Sequence, residues 1–234
     1  MERGRSRKAR SGCLGRIFGF VLFLIVAAVG VIAAVKYMPS RERADLDALY
    51  AAGGSDRVAL YLNYERQEES GVYVDGQTYL PAAWVDANLN ERFYWDANEE
   101  ILVYALPEEI VKSDETTVDE DGKKILYRDG DAVYLSLALI QKYTDVRLQA
   151  YDGEAQKRVF VENNWDPVTV ADAAWSAKIR LRGGLKSPIV TEIKRGGTVT
   201  VLEQYDNWAR VMTPDGHISL SVSEGEIVSI IGPS

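Results

Sequence analysis

The chain has 234 residues and a formal net charge of −8, with a single cysteine and a single histidine. One cysteine excludes an internal disulfide framework and a metal site built on several cysteines. The acidic balance argues against nucleic acid as a partner, because an acidic surface repels the phosphate backbone, and the length allows one or two domains.

The first 35 residues differ from the rest by a long apolar run. Residues 17–35 carry no charge, and at about 1.5 Å per residue they span the hydrocarbon core of a bilayer. Six basic residues and one acid precede the run, whereas the residues after it mix both signs, which predicts a cytoplasmic N-terminus. We therefore predict a basic tail and a transmembrane anchor over residues 1–35. The alternative is a cleaved signal peptide, with Val31-Ile32-Ala33 as the cleavage site.

The segment after the anchor, residues 36–56, is predicted to be a juxtamembrane stalk. It has the pattern of one or two helical turns around Leu46 and Tyr50, ended by Gly53-Gly54. Cys13 lies before the apolar run, so the exported part has no thiol, no disulfide and no cysteine metal site.

Charge divides the exported part in two. Residues 36–167 hold 14 Lys and Arg against 27 Asp and Glu, whereas residues 168–234 hold 7 of each kind. This shift predicts a domain boundary near residue 167. We therefore predict one domain over residues 57–167 and a second over residues 168–234.

The first of these domains shows an internal repeat. After a predicted strand at Arg57–Gln67, the order strand, turn, strand, short helix, strand, turn, strand is given twice, from Val72 and from Leu126. Each copy opens on an aspartate-glycine turn, Asp75-Gly76 or Asp129-Gly130, which indicates a hairpin because glycine accepts positive φ. The pattern predicts a duplicated α+β domain.

The first copy contains a series that characterises one family: Asp75, Gly76, Tyr79, Leu80, Pro81, Trp84, Leu89, Phe93, Trp95 and Asp96. With it the copy resembles the copper amine oxidase N-terminal-like repeat of bacterial envelope proteins. The second copy is looser, with Ser136 in place of the proline and Ala150-Tyr151-Asp152 in place of the tryptophan-aspartate step. The resemblance implies a stalk or interaction module without copper. Residues 36–167 agree, since they hold no histidine or cysteine as copper ligands.

An acidic run at Lys112–Lys124 raises the question of a calcium loop. With Gly122 at loop position 6, oxygen ligands would fall on Thr117, Asp119 and Asp121, but Arg128 would occupy position 12, where a bidentate glutamate belongs. We predict a solvated linker between the two copies, with the calcium loop as the alternative.

Short strands with glycine and proline turns follow from Val168 and indicate a small barrel. The residues of this segment that match a known family pattern are Leu181, Arg182, Gly184, Pro188, Ile189, Gly196, Val199, Val201, Leu202, Glu203, Trp208, Val211, Asp215 and Gly216. Over about fifty residues this segment resembles the bacterial SH3-like domain. The match stops at Ser219-Leu220-Ser221. Either the last strand is a variant that turns Ile218, Leu220 and Val222 inward, or a truncation or frame change has occurred near Ile218.

The only histidine follows the turn of the sequence "YDNWARVMTPDGHI". Alternation along the strand predicts that Trp208 lies inside, in the core, with ligand stacking as the alternative, and that His217 points to solvent. We predict an exposed turn residue at His217 and not a catalytic base, because catalysis needs a converging nucleophile and carboxylate. Tyr205 and Asp206 in the adjacent loop, together with Trp208, are the candidate ligand-binding residues.

The order of anchor, acidic repeat and SH3-like segment resembles the N-terminal half of membrane-anchored family 18 glycoside hydrolases of clostridia. In that architecture a catalytic barrel with a "DGxDxDxE" strand follows, and this chain contains no such string. We predict a mainly β fold with short helices and no catalytic residue, metal or cofactor. The predicted function is a single-pass extracytoplasmic envelope protein that binds peptidoglycan or acts as a spacer. The alternatives are the non-catalytic front of a glycoside hydrolase acting on cell-wall or chitin-like polysaccharide, and a protein-docking module.

Overall fold

The computed structural model describes residues 12–50, 52–153, 156–165, 168–205, 208–223 and 227–231. In this part of the chain 43% of residues lie in strands and 21% in helices, so the fold is mainly β, as predicted.

Four helices occur within these residues: α1 at Gly12–Tyr37, α2 at Leu46–Tyr50, α3 at Ala82–Asn88 and α4 at Leu137–Tyr143. Within α1, the stretch Ile17–Tyr37 is long and apolar enough to cross a membrane, which confirms the apolar helix. The short α2 confirms the helical turn predicted around Leu46 and Tyr50.

Ten strands follow: β1 at Arg57–Leu62, β2 at Glu65–Val74, β3 at Gln77–Pro81, β4 at Phe93–Asp96, β5 at Ile101–Ala105, β6 at Ile110–Ser113, β7 at Leu126–Asp129, β8 at Ala132–Ser136, β9 at Arg147–Tyr151 and β10 at Arg158–Glu162. Seven of them form one sheet in the order β7-β8-β3-β2-β1-β10-β9, in which only the β1–β10 pair is parallel. The other three form a small antiparallel sheet, β4-β5-β6. We call residues 57–165 the large-sheet region.

The predicted element order is present twice in this region, as β2-β3-α3-β4-β5 and as β7-β8-α4-β9-β10. The two copies meet where β3 pairs with β8, with Tyr79 opposite Ser136, Leu80 opposite Leu135 and Pro81 opposite Tyr134. Equivalent positions therefore exchange places across a local two-fold axis, and the two central leucines are fully buried. The copies differ in their second hairpin: β4-β5 joins the small sheet, whereas β9-β10 extends the large one.

Both predicted hairpin turns are present, but the second begins one residue later than predicted, and an additional turn lies at Asn63-Tyr64. Asp75 and Gly76 both have positive φ between β2 and β3, whereas Asp129 still belongs to β7, so Gly130 is the first turn residue of the second copy. The strand predicted from Arg57 through Gln67 is broken by a turn at Asn63-Tyr64, both with positive φ. The prediction of one strand was wrong because tyrosine rarely adopts that conformation and therefore gives no turn signal.

The core lies on one face of the large sheet, where α3, α4 and the small sheet cover it. It contains Val58, Leu60, Leu80, Trp84, Val85, Phe93, Leu102, Tyr104, Leu126, Leu135, Leu139, Ile140, Val159 and Val161. Because successive side chains of a strand point to opposite faces, the neighbouring residues Ala59, Tyr61 and Phe160 lie on the other face of the sheet, where they are also buried. Both faces of the sheet are therefore covered.

The C-terminal region, residues 168–231, contributes seven strands: β11 at Thr169–Ala173, β12 at Ala177–Arg180, β13 at Ile189–Ile193, β14 at Thr198–Gln204, β15 at Trp208–Met212, β16 at Ile218–Ser223 and β17 at Ile227–Ile231. Five form a sheet in the order β16-β15-β14-β11-β17, and β12-β13 is a separate hairpin. Its small core contains Ala171, Ile179, Val199, Ala209 and Val211. Among the described strands these sheets do not close into a barrel.

Several described residues of the predicted stalk, residues 36–56, contact the folded part of the protein. Ala44 N–H donates to Ile189 O at 2.7 Å, and Ile189 N–H donates to Glu42 O at 2.7 Å, so this segment continues the β12-β13 hairpin as a short parallel bridge. The side chain of Tyr50, at the end of α2, is 2% exposed. The segment therefore ties α1 to both regions.

Candidate functional site at the junction of the two regions

The only histidine is buried. His217 is 6% exposed, its ring centroid lies 5.4 Å from that of Tyr50, and its Nδ1 lies 2.9 Å from Asp215 Oδ2. The prediction that His217 points to solvent was therefore wrong. Alternation along a hairpin assigns side chains to faces but does not show what covers each face, and here Tyr50 of α2, far earlier in the chain, covers the face assigned to solvent.

We call residues 213–217, with the sequence Thr-Pro-Asp-Gly-His, the junction turn. Gly216 has φ of 71°, the left-handed conformation that glycine adopts in turns without steric cost. Gly216 N–H donates to Thr213 O at 2.9 Å and Thr213 N–H donates to His217 O at 3.0 Å, so the turn is closed by its own backbone. The pKa of Asp215 is lowered to about 2, first because the His217 imidazole lies against its carboxylate and then because the Thr213 hydroxyl donates to it. Asp215 is thus ionised at any pH near neutral.

A buried arginine of the large-sheet region binds the junction turn. Arg158, in β10, is 0% exposed. It donates to Gly216 O at 2.8 Å, to Gln156 O at 2.7 Å and to Asp215 O. Its guanidinium also lies 5.0 Å from the ring centroid of Tyr50 and 5.0 Å from that of Tyr151. A buried cation is tolerated when its donors are used, and the carbonyls of the junction turn accept them here.

Tyr50 joins α2 to the start of β16. Its Oη accepts from Ile218 N–H at 3.0 Å and lies 3.3 Å from Ile218 O, to which it donates. Burial is the main cause that raises the pKa of Tyr50 to about 12, so this hydroxyl stays protonated. Around it, Met212 packs with Tyr61 and Phe160 in an apolar cluster shared by the two regions. We call the contact of Tyr50, Arg158 and this apolar cluster with the junction turn the junction. It combines apolar packing with a small set of buried polar contacts.

At His217 a histidine lies beside a carboxylate, as in many catalytic sites, but the described residues place no nucleophile against the imidazole. A general base needs a partner that it can deprotonate, and neither ring nitrogen of His217 has an aligned hydrogen-bond partner among the described residues. The Nδ1 contact with Asp215 is close but poorly aligned. The described residues also contain no group of three or more His, Cys, Asp or Glu that could hold a metal ion. What the described contacts show is an arrangement that holds the two regions together.

The three candidate ligand-binding residues differ in position. Tyr205 is exposed, and its Oη donates to a carboxylate oxygen of Glu203, which raises the pKa of Tyr205 and lowers that of Glu203. Asp206 lies outside the described residues. Trp208 is half-buried, and its ring lies within 3.6 Å of where a Cβ on Gly183 would stand. The described side chains therefore place only Tyr205 fully at the surface.

The prediction that Trp208 lies in the core was wrong. The core of the C-terminal region takes Ala209 and Val211 from β15, so the opposite face of this strand carries Trp208 and Arg210. The sequence shows two faces, but side-chain size does not identify the inner one, because the Trp208 ring packs over Gly183 instead of entering the core. Met212 is buried for another reason, because it packs against the large-sheet region.

Arg210, which the sequence analysis did not single out, connects the surface near Tyr205 to the large-sheet region. Its Nη1 lies 2.9 Å from Glu203 Oε1 and 2.6 Å from Glu65 Oε1, and its Nη2 donates to Tyr64 O at 3.0 Å. These contacts use the unpredicted turn at Asn63-Tyr64, so no local sequence signal could have revealed them.

Two further surface features bear on binding. Trp175 is 63% exposed, and the Arg195 guanidinium lies 5.2 Å from its ring centroid, which makes it a second aromatic candidate that the strand pattern did not indicate. In the acidic run, Asp119 accepts from the N–H groups of Asp121 and Lys123, and Asp114 accepts from Thr116 and Thr117. These carboxylates therefore order their own loop.

Comparison of the chain with family models, with curated proteins and with solved structures found no match. The three family resemblances, to the copper amine oxidase N-terminal-like repeat, the SH3-like domain and the family 18 glycoside hydrolases, remain predictions from the sequence.

Proposed function

We propose that this protein is a membrane-anchored, extracytoplasmic and non-catalytic envelope protein that binds peptidoglycan through its C-terminal region. In this proposal α1 is an uncleaved anchor with a cytoplasmic N-terminus. The large-sheet region is a duplicated spacer of the copper amine oxidase N-terminal-like type, and the C-terminal region is an SH3-like module. The two-fold pairing of β3 with β8 supports duplication, and the five-stranded sheet with its added hairpin supports the SH3-like assignment.

The observation that carries the proposal is the continuous packing from α1 to the C-terminal region. Glu42 and Ala44 bond to β13, α2 packs in the apolar cluster shared by the two regions, and Arg158 holds the junction turn. An apolar helix joined in this way to a folded β unit presents a surface at a set position beside the membrane. Such a design suits a spacer or a wall-contacting module.

Charge indicates which region meets the wall. Residues 36–167 are strongly acidic and would be repelled by anionic wall polymers, whereas residues 168–234 are balanced and can approach them. Exposed aromatic side chains on the balanced region, Tyr205 and Trp175, can stack on sugar rings. We therefore expect binding to depend on stacking and hydrogen bonds more than on ion pairs.

A sedimentation assay of the full chain in detergent micelles with purified peptidoglycan tests this function. We expect retention at both low and high salt, and we expect Tyr205→Ala to weaken it at least about fivefold, because lost stacking is worth about 1 kcal/mol. Trp175→Ala tests the second exposed aromatic of the region in the same way.

No retention at either salt concentration would contradict wall binding and favour the protein-docking alternative. Retention that disappears at high salt would contradict the stacking mechanism. For the glycoside hydrolase alternative, the coding DNA beyond the codon for Ser234 is read in all frames, and a "DGxDxDxE" strand there would favour the enzyme.

A further inference from the structure

The loop between β12 and β13, residues 181–188, lies against the C-terminal end of α1. Lys186 Nζ donates to Val35 O at 2.7 Å, in the last turn of the apolar helix. Ser40 N–H donates to Leu185 O at 2.7 Å, only three residues after the helix ends. The loop is therefore bonded directly to the point where the chain would leave a membrane.

Buried contacts hold the loop in this place. Arg180 is 4% exposed and donates from Nη1 to Ser40 O at 3.1 Å and to Ser187 O at 2.6 Å. Within the loop, Ser187 N–H donates to Gly184 O, and Arg182 N–H donates to Ser187 Oγ. The half-buried ring of Trp208 covers the loop at Gly183. The loop is thus ordered by its own hydrogen bonds and by a side chain that packs on it.

Lengths place the loop at the depth of the lipid headgroups. The stretch Ile17–Tyr37 has 21 residues, so as a helix it is about 31 Å long, close to the roughly 30 Å of a hydrocarbon core. The headgroup layer adds about 5–7 Å on each side. Three extended residues after Tyr37 reach at most about 11 Å, and Lys186 contacts Val35 itself. The loop cannot stand far outside this layer.

The exposed side chains here suit that environment. Leu185 is 47% exposed and lies between the exposed cations Arg182 and Lys186. At the end of α1, Tyr37 is 66% exposed and the Lys36 ammonium lies 5.7 Å from its ring centroid. Aromatic and basic residues of this kind are typical of the membrane interface, and an apolar side chain flanked by cations can insert between anionic headgroups.

We propose that the loop of residues 181–188 is a membrane-contact surface, in which Leu185 enters the headgroup layer and Arg182 and Lys186 bind anionic phospholipid headgroups. This inference rests on the membrane anchoring of the proposed function but not on peptidoglycan binding. The contact fixes the orientation of the C-terminal region against the outer leaflet, and the opposite end of the β12-β13 hairpin, with Trp175 and Arg195, then points away from the bilayer.

The test uses the full chain in lipid nanodiscs, with Cys13→Ser as the background and one fluorophore attached through either Leu185→Cys or Lys194→Cys. Lys194 is exposed at the opposite end of the same hairpin and serves as the matched control. Lipids that carry a spin label at the headgroup quench a fluorophore near the bilayer surface. We expect at least threefold stronger quenching at position 185 than at position 194. We also expect quenching at 185 to rise when anionic phosphatidylglycerol is added, and Lys186→Glu combined with Arg182→Glu to abolish that rise.

Equal quenching at the two positions would overturn the inference, and so would quenching at 185 that does not respond to anionic lipid. A chain that does not enter nanodiscs would contradict the anchor and the inference together, whereas incorporation with equal quenching contradicts the inference alone. Loss of peptidoglycan retention with quenching at 185 intact would contradict only wall binding.

Discussion

Replacing Arg158 with alanine is expected to lower the free energy of unfolding by about 3–5 kcal/mol, because the change leaves buried carbonyl groups of the junction without donors. The fully buried guanidinium donates to Gly216 O, Asp215 O and Gln156 O, and it lies 5.0 Å from the ring centroids of both Tyr50 and Tyr151. Thermal unfolding of the full chain in detergent micelles, followed by circular dichroism, measures the loss.

Two variants serve as controls. Arg195→Ala removes a cation that also lies beside an aromatic ring but is exposed, and we expect a change below about 0.5 kcal/mol. Arg158→Lys keeps the charge but not the planar set of donors, so it should fall between wild type and alanine. An Arg158→Ala protein as stable as Arg195→Ala would contradict a structural role for the junction.

Gly216→Ala is expected to destabilise the protein by about 2–4 kcal/mol, because two unfavourable effects add. The backbone there has φ of 71°, which disfavours any side chain, and a Cβ would lie 2.5 Å from Tyr151 Cε2. The aromatic ring would have to move, and it packs on Phe160 and Arg158. Chemical denaturation followed by tryptophan fluorescence measures the difference.

Gly130→Ala is the matched control, since Gly130 also has positive φ, at 61°, but a Cβ there meets nothing within 4 Å. We expect it to cost only about 1–2 kcal/mol of backbone strain. Similar losses for the two variants would show that the contact between the junction turn and Tyr151 is loose, which would contradict the packing described above.

Local signals predicted much of the fold. The charge-free run predicted α1, and the aspartate-glycine turns predicted hairpins. The positions of Leu46 and Tyr50 predicted the short helix α2. Each of these depends on neighbours within a few residues, through hydrophobic periodicity or through the conformational freedom of glycine. At the Asn63-Tyr64 turn the local signal was incomplete, because tyrosine stands where glycine usually follows asparagine, and one strand was predicted in place of two.

The site could not be predicted in the same way, because its contacts join distant positions. His217 is buried by Tyr50, and the junction turn is held by Arg158, which a strand pattern marks only as a charged residue. A charge in a strand usually indicates a solvated face, so a buried arginine that binds main-chain carbonyls has no sequence signature.

We expect the contacts among Tyr50, Arg158 and the junction turn to join the two regions into a single rigid unit. Spin labels on Glu69→Cys in β2 and Lys194→Cys after β13, both at exposed positions, give the distance between the regions by pulsed electron paramagnetic resonance. In the Cys13→Ser full chain we expect one narrow distance distribution, which broadens in Arg158→Ala. A broad distribution in the chain that retains Arg158 would show that the regions move independently, and it would contradict the account.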